Sequence, residues 1–212
     1  MNYEIFLFII SSLFFCSNAL AQIDFKDDPE SIINKYTDYV DLNNRADKNL
    51  HLDNDFDFEF RLWTDENWGY KSLFLLRKKN NVWKANFIKY DGQKDIWSKQ
   101  KVKQKNLDGL WNYLLRNQIL TLPTQDSVRY KMKLFEADTA MIFFEEDTYK
   151  KIQIVDGTGY RFELRTKEKK RAYEYHCPKS YLEHYPGVEE LYRAYAIIIL
   201  VRRQLGLSYD IC

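Results

Sequence analysis

The residue types that suit chemistry and recognition concentrate in one short stretch, residues 173–185. It contains two of the three histidines of the chain and four tyrosines. A tyrosine presents a rigid apolar ring and a polar tip, which suits recognition of a peptide, a glycan or an aromatic ligand. The alternative is internal packing, with two tyrosines on a strand and two against the last helix. We predict a binding role for six residues of this stretch: Tyr173, Tyr175, His176, Tyr181, His184 and Tyr185.

Established catalytic and metal-binding patterns are absent from the sequence. His176, Cys177 and His184 supply two types of metal ligand, but they lack the C-x-x-C or H-E-x-x-H spacing of zinc sites. The G-x-S-x-G motif of serine hydrolases and the glycine-rich loops that hold phosphates are also absent. We therefore predict no metal, no cofactor and no catalytic residue. A small hydrolase with His176 or His184 as general base is the alternative.

In two segments, charged residues occur at every second position, which is the spacing that places side chains on one face of a β-strand. Residues 53–59 place oxygen ligands at alternate positions, but Phe58 and Thr64 stand where a calcium loop needs glycine and glutamate. A solvent-facing strand edge is the favoured interpretation. Four lysines alternate in the same way and favour protection of an edge strand over binding of a polyanion: Lys99, Lys101, Lys103 and Lys105.

The N-terminal segment has the pattern of an export signal. An apolar run, Ile5–Phe15, is followed by small residues at Ala19 and Ala21. This is typical of a secretory signal peptide and too short to span a bilayer. We predict that residues 1–21 are a signal peptide cleaved after Ala21, and that the protein is periplasmic or secreted. A lipid anchor on Cys16 is the less favoured alternative, because two phenylalanines precede that cysteine.

Export has a consequence for the cysteines. Removal of residues 1–21 leaves two, Cys177 and Cys212. An even pair in an oxidising compartment favours a disulfide bond. We therefore predict a Cys177–Cys212 disulfide.

The composition indicates one ordinary globular domain, residues 22–212. Hydrophobic residues make up 45% of the chain, which excludes a disordered protein. The net charge of +1 gives no reason to expect a nucleic-acid partner. The longest apolar run after the signal, residues 194–201, is too short for a transmembrane segment.

Periodicity predicts the elements that position the tyrosine-rich stretch. Apolar residues at helical spacing predict three helices at about 29–42, 107–118 and 188–205. Two-residue alternation predicts about eight to nine strands in two runs separated by short turns. Asn80 and Asn81 predict a hairpin turn within the first run, and the second run begins with strands at about 129–136, 140–145 and 149–155. This order predicts an α+β fold with an antiparallel sheet. The domain divides into two possible halves, about 29–104 and 106–176, followed by the C-terminal helix.

These observations favour a binding function. We expect an exported, non-catalytic module that uses an aromatic-rich sheet surface to contact a protein, a peptide or a glycan. The hydrolase and a lipid-anchored envelope-assembly factor are the alternatives.

Overall fold

The computed structural model describes residues 23–26, 37–52, 55–66, 69–132, 152, 154 and 157–207. These residues form five α-helices and one six-stranded sheet. The helices are α1 (Thr37–Leu50), α2 (Leu107–Arg116), α3 (Gln125–Val128), α4 (Pro178–His184) and α5 (Glu189–Leu205). The strands are β1 (Phe58–Asp65), β2 (Tyr70–Lys79), β3 (Val82–Asp91), β4 (Ile96–Gln100), β5 (Gly159–Arg165) and β6 (Lys170–His176).

The sheet is antiparallel throughout, with strand order β4-β3-β2-β1-β5-β6. Asn80 and Asn81 turn β2 into β3 with φ angles of 48° and 62°. Asparagine tolerates this left-handed backbone, which a two-residue hairpin needs at both positions. β1 lies at the centre and pairs with β2 on one side and β5 on the other. It therefore joins the strands that precede α2 to those that follow it.

Helices cover the two faces of the sheet, which differ in character. The face that we call the core face carries Phe60, Phe74 and Phe162, and helices α2, α4 and α5 supply apolar residues to the same cluster. The opposite face, here the charged face, carries Arg61 and Glu163 and lies under α1. A smaller apolar cluster joins α1 to the charged face through Leu42, Ala46, Leu50, Trp63, Leu73, Leu75 and Ile88.

The predicted fold class is confirmed, and several predicted details are wrong. The described residues hold six strands rather than eight to nine, and five helices rather than three. Residues 129–131 form a 3₁₀ turn instead of the start of a strand. Val128 and Met132, four residues apart, are buried, while Tyr130 between them is exposed. The buried residues therefore have a helical spacing and do not alternate as in a strand. Predicted strands at about 140–145 and 149–155 fall largely outside the described residues.

The first described helix extends past the predicted end. α1 runs from Thr37 to Leu50, so residues 43–50 are helical although the prediction ends the helix at about residue 42. Residues 29–36 of the predicted helix lie outside the described residues. The segment has few apolar residues, but Ala46 is fully buried and Asn43 lies in a buried hydrogen-bond network. Tertiary contacts therefore override a weak local pattern. The short α4 was also not predicted, although Pro178 at its first turn is a regular start signal.

The two longer predicted helices are observed with small changes in length. α2 ends at Arg116, and α5 begins at Glu189. In α5, Leu191, Ala194, Ile198 and Val201 are spaced by three or four residues and are buried against the core face. None of the helices among the described residues combines the length and apolar character that a bilayer crossing requires.

Candidate functional site

The tyrosines of residues 173–185 lie inside the protein. Tyr173 and Tyr175 on β6 are each 1% exposed, and their rings face the core. The Tyr173 hydroxyl donates to the carbonyl of Ile119 at 2.8 Å, and the Tyr175 hydroxyl donates to the carbonyl of Pro123 at 2.8 Å. Burial raises the pKa of both phenols. These two tyrosines therefore bind the chain's own loop beside the outer edge of β6.

The other two tyrosines also contact the chain's own backbone. Tyr181 and Tyr185 are stacked on α4 and buried. Their hydroxyls accept hydrogen bonds from the amides of Ile154 and Ile152, at 3.4 and 3.1 Å. All four rings thus serve internal packing and backbone capping in this structure. Their proposed contact with an external ligand stays a prediction.

The histidines of the same stretch do not form a catalytic arrangement in the described part of the chain. His176 is half-buried and its backbone amide donates to Gln125 Oε1 at 2.8 Å, while His184 is exposed. Within the described ranges, no set of three His, Cys, Asp or Glu side chains could hold a metal ion. The structure therefore brings the tyrosines of this stretch together but gives its imidazoles no acid–base partner among the described residues.

Cys177 is buried at the start of α4, and its sulfur accepts a hydrogen bond from the amide of Thr158 at 3.2 Å. It is the only cysteine among the described residues, since Cys212 lies outside them. The disulfide between the two stays a prediction. Cys16, Ala19 and Ala21 also lie outside the described residues, so the export signal is untested.

A row of polar residues that sequence reasoning missed crosses the core face near one end of the sheet. Thr64 on β1 lies opposite Tyr160 on β5 and opposite Ser72 on β2, and Ser72 lies opposite Lys89 on β3. Residues directly opposite in an antiparallel pair share a face. Four neighbouring strands therefore place three hydroxyls and one ammonium group side by side.

The next row along the same strands is apolar. It consists of Leu62, Phe74 and Phe87, which are also directly opposite one another. The core face thus changes from apolar to polar within one pleat of the sheet. This change cannot be seen in the sequence of any one strand, because a single serine, threonine or lysine near a strand end is common. The pairing register between the strands shows that these polar residues form one row.

A cavity of about 100 Å³ lies where this boundary meets the C-terminal end of α5. Its floor is the apolar row of β1–β3, and its roof is formed by Ile198, Val201 and Leu205 of α5. Gly206 ends α5 with φ 69°, and the amide of Leu207 donates back to the carbonyl of Arg202 at 3.0 Å. This left-handed turn, which glycine adopts without strain, brings Leu207 to the cavity wall.

The rim of the cavity is polar and carries charged groups. Lys89 and Arg202 supply two cations and Glu66 one carboxylate. Thr64 and Ser72 also line the rim. Two hydroxyls and two cations therefore surround an opening with an apolar floor.

Tyr160, the next member of the polar row, is buried, with 2% of the residue exposed. Burial raises the pKa of Tyr160 to about 12, although the nearby Arg202 guanidinium and a hydrogen bond with the Thr158 side chain act in the opposite direction. The polar row therefore continues from the rim of the cavity into the interior.

The charged face contains a second polar constellation, a buried ionic network beneath α1. Arg61 on β1 donates to Glu59 at 2.6 Å, to Asn43 at 2.8 Å and to Asp47 at 2.6 Å. Glu59 and Arg61 are 0% and 1% exposed. Alternation made this side of β1 the predicted solvent face, which is wrong: α1 covers it. The contacts of Asn43 and Asp47 fix α1 on the sheet.

Glu163 on β5 is the acidic centre of this network. It accepts from Asn43 at 3.0 Å, from Arg161 at 2.8 Å and from Arg165 at 2.8 Å. Burial alone raises the pKa of Glu59 and of Glu163, but the surrounding arginines lower each below its ordinary value. Both carboxylates are therefore ionised and paired, and solvent does not reach them. This arrangement positions α1 and leaves no open site.

No protein-family profile matches the chain, and no curated protein is similar to it in sequence. The geometry of the described residues is therefore the basis for a functional proposal.

Proposed function

We propose that the protein binds a small, partly apolar ligand in the cavity between the core face and α5. One observation carries this proposal: an apolar floor and roof enclose the cavity, while hydroxyls and charged groups lie at its rim. Ligand sites combine these two features, since apolar walls supply affinity and a few polar groups fix orientation.

The cavity volume limits the size of the ligand. Drug-sized ligands occupy sites of roughly 300–1,000 Å³. A dry apolar cavity of roughly 150 Å³ accepts one benzene molecule, which has six heavy atoms. By proportion, the 100 Å³ cavity encloses about four non-hydrogen atoms. Additional polar atoms of the ligand would lie at the rim.

Binding is better supported than hydrolysis by the placement of the side chains. A general base must lie within hydrogen-bond reach of the group it activates and is commonly oriented by a partner. Neither His176 nor His184 lines the cavity, and neither imidazole is hydrogen-bonded to a carboxylate in the described part of the chain. The cavity, in contrast, offers surfaces for recognition and no nucleophile paired with a base.

Export is part of the same proposal. A signal peptide removed after Ala21 would place the protein in the periplasm or outside the cell, where a binding protein meets small molecules. Tethering through Cys16 stays the alternative. Contact of the tyrosines at 173–185 with a protein, a peptide or a glycan also stays a prediction, and their burial makes the cavity the better supported site.

Filling the cavity tests the proposal. Ser72 lines it and is 8% exposed, so Ser72→Met projects a flexible apolar chain into the space. The matched control is Ser98→Met, because Ser98 is exposed on β4 and does not line the cavity. Thermal unfolding is measured for each protein with sodium butyrate, 1-butanol and butylamine, which share a four-carbon skeleton.

At least one of these probes should stabilise the unmodified protein and the Ser98→Met variant. At ten times the dissociation constant, binding adds about 1.4 kcal/mol of stability. For a chain of this size that is roughly 3–6 °C in Tm. The Ser72→Met variant should show no shift. The proposal is wrong if no probe binds, or if Ser72→Met responds as Ser98→Met does.

A further inference from the structure

The two edges of the sheet differ in how their backbone groups are occupied. At the β6 edge, the Thr124 hydroxyl donates to the carbonyl of Glu174 at 3.2 Å, and the amide of His176 donates to Gln125 Oε1 at 2.8 Å. β4 forms the other edge and pairs with β3 alone. In the described part of the chain, no residue outside β3 and β4 hydrogen-bonds to the backbone of β4. Such an edge presents amides and carbonyls with which a further strand can pair.

The segment that includes β4 is strongly basic. Residues 96–105, here called the basic border, contain no acidic residue and four lysines, Lys99, Lys101, Lys103 and Lys105. All four are exposed, and none of them forms an ion pair among the described residues. Since the whole chain has a net charge of only +1, this is a local concentration of positive charge. The basic border therefore attracts an acidic partner and repels a basic one.

The backbone of the basic border is fixed on the body of the protein. Beyond β4, the Gln104 side chain accepts from the amide of Ala85 at 3.0 Å and donates to its carbonyl at 2.7 Å. Gln204 on α5 donates to the carbonyls of Lys103 and Lys105, at 2.5 and 3.2 Å. The border is thus ordered before a partner binds, which lowers the entropic cost of association.

We propose that β4 binds an extended, acidic segment of a partner protein as an added strand. The backbone of that segment would pair with the open edge of β4, and its acidic side chains at alternate positions would lie beside Lys99 and Lys101. Strand addition of this kind derives affinity from main-chain hydrogen bonds and specificity from alternate side chains. None of residues 96–105 lines the cavity, so this inference goes beyond the proposed function and does not depend on it.

Charge favours an acidic strand over a second copy of the chain. If two copies paired through β4, each basic border would lie beside the other. Like charges directly opposite each other destabilise a strand pair, whereas opposite charges stabilise it. The lysines therefore keep the protective role expected from the sequence and still admit an acidic strand.

The open backbone edge favours a peptide over other polyanions. A nucleic acid or a sulfated polysaccharide can neutralise the lysines, but it lacks the regular amide donors and carbonyl acceptors of a strand. A peptide strand satisfies the edge and the charge together. The two contributions can be separated by experiment.

Fluorescence anisotropy with labelled peptides and the full mature chain measures the binding. The probe is an eight-residue peptide of alternating glutamate and threonine, blocked at both ends. One control peptide has proline at the two central threonines, which keeps the charge but removes amide donors and disfavours a strand. A second has lysine in place of each glutamate. The glutamate–threonine peptide should bind at least tenfold more tightly than the proline peptide, and the lysine–threonine peptide should not bind.

Charge-reversal variants locate the contact. Lys99→Glu should weaken binding of the glutamate–threonine peptide at least fivefold, because like charges then lie side by side. Lys101→Glu, just outside β4, should show a similar loss and serves if Lys99→Glu lowers the melting temperature. Lys170→Glu is the matched control, because Lys170 is an exposed lysine on β6, the opposite edge strand. It changes the net charge equally and should leave the affinity within twofold.

Each contrary result overturns the inference. Equal binding of the proline peptide shows that charge alone acts, as for any polyanion. Equal losses in Lys170→Glu and Lys99→Glu show that the peptide does not bind at β4. If the glutamate–threonine peptide does not bind at millimolar concentration, the lysines only protect the edge. These outcomes leave the Ser72→Met test of the cavity unaffected, so the two proposals fail separately.

Discussion

Replacing Glu163 with glutamine tests whether the ionic network holds α1 on the sheet. In the structure this carboxylate accepts from Asn43, Arg161 and Arg165, at distances between 2.8 and 3.1 Å. Glutamine keeps the shape but removes the charge, and it leaves buried guanidinium groups with one negative partner fewer. Breaking a buried ion pair by removing one partner costs about 3–5 kcal/mol. That is a large share of a typical stability of roughly 5–15 kcal/mol.

Urea unfolding, followed by tryptophan fluorescence, measures this loss. With a slope of about 2 kcal/mol per molar urea, the midpoint should fall by roughly 1.5–2.5 M. Glu174→Gln is the matched control. Its carboxylate bonds to Arg161 at 2.7 Å but its side chain is 27% exposed, so solvent screens the lost charge. We expect a loss of about 1 kcal/mol or less there. Equal losses in the two variants, or a loss below 1 kcal/mol at Glu163, would refute the reasoning.

Three further outcomes are expected. The arginines lower the pKa values of Glu59 and Glu163, so the network stabilises the fold at pH values above the ordinary glutamate pKa. This stability should be lost as the pH falls through the lowered pKa values. The free energy of unfolding, measured against pH, should therefore fall less steeply for Glu163→Gln than for the unmodified protein. Tyr175→Phe should destabilise the protein by about 1–2 kcal/mol, because it leaves a loop carbonyl without its donor, whereas Tyr192→Phe, at a residue 58% exposed, should change urea stability by less than about 0.5 kcal/mol. Mass spectrometry of the exported protein should show a chain that begins at Gln22 and weighs two hydrogens less than its reduced form; a chain retaining residues 1–21, or one with free thiols, contradicts these two predictions.

Local patterns predicted the parts of the fold that local physics determines. The Asn80–Asn81 turn identified the β2–β3 hairpin, because asparagine tolerates the backbone that the turn needs. The apolar spacing of α2 and α5 located both helices to within a few residues. In each case a short segment carries its own signal, and packing only reinforces it.

The charged face could not be predicted in this way. Glu59 and Arg61 alternate with phenylalanines and therefore look like the solvent side of a strand, yet both are buried. Their charges are compensated by residues distant in sequence, such as Asp47 on α1 and Arg165 on β5, and Asn43 on α1 accepts a hydrogen bond from Arg61. A buried polar side chain and an exposed one look the same in a sequence until its partners are known. The extension of α1 beyond residue 42 has the same origin.

The cavity was missed for a related reason. Thr64, Ser72 and Lys89 belong to three strands, and only the register places them in one row.

The tyrosine-rich stretch was predicted to bind a ligand from its composition alone. Aromatic residues are common both in binding sites and in protein cores, so composition does not distinguish the two. In the structure, hydroxyls of this stretch bond to the chain's own backbone, and the rings belong to the interior.

The most direct test of the account is the position of a bound four-carbon probe, measured by intermolecular nuclear Overhauser effects between isotope-labelled protein and whichever unlabelled probe binds (sodium butyrate, 1-butanol or butylamine). The account predicts contacts from the terminal methyl group of the probe to the side chains of Phe74, Ile198 and Val201, which form the floor and roof of the cavity. Contacts confined to exposed apolar residues such as Tyr113 or Tyr130, or no contacts with any of the three probes at saturating concentration, would contradict the claim that this cavity is the binding site.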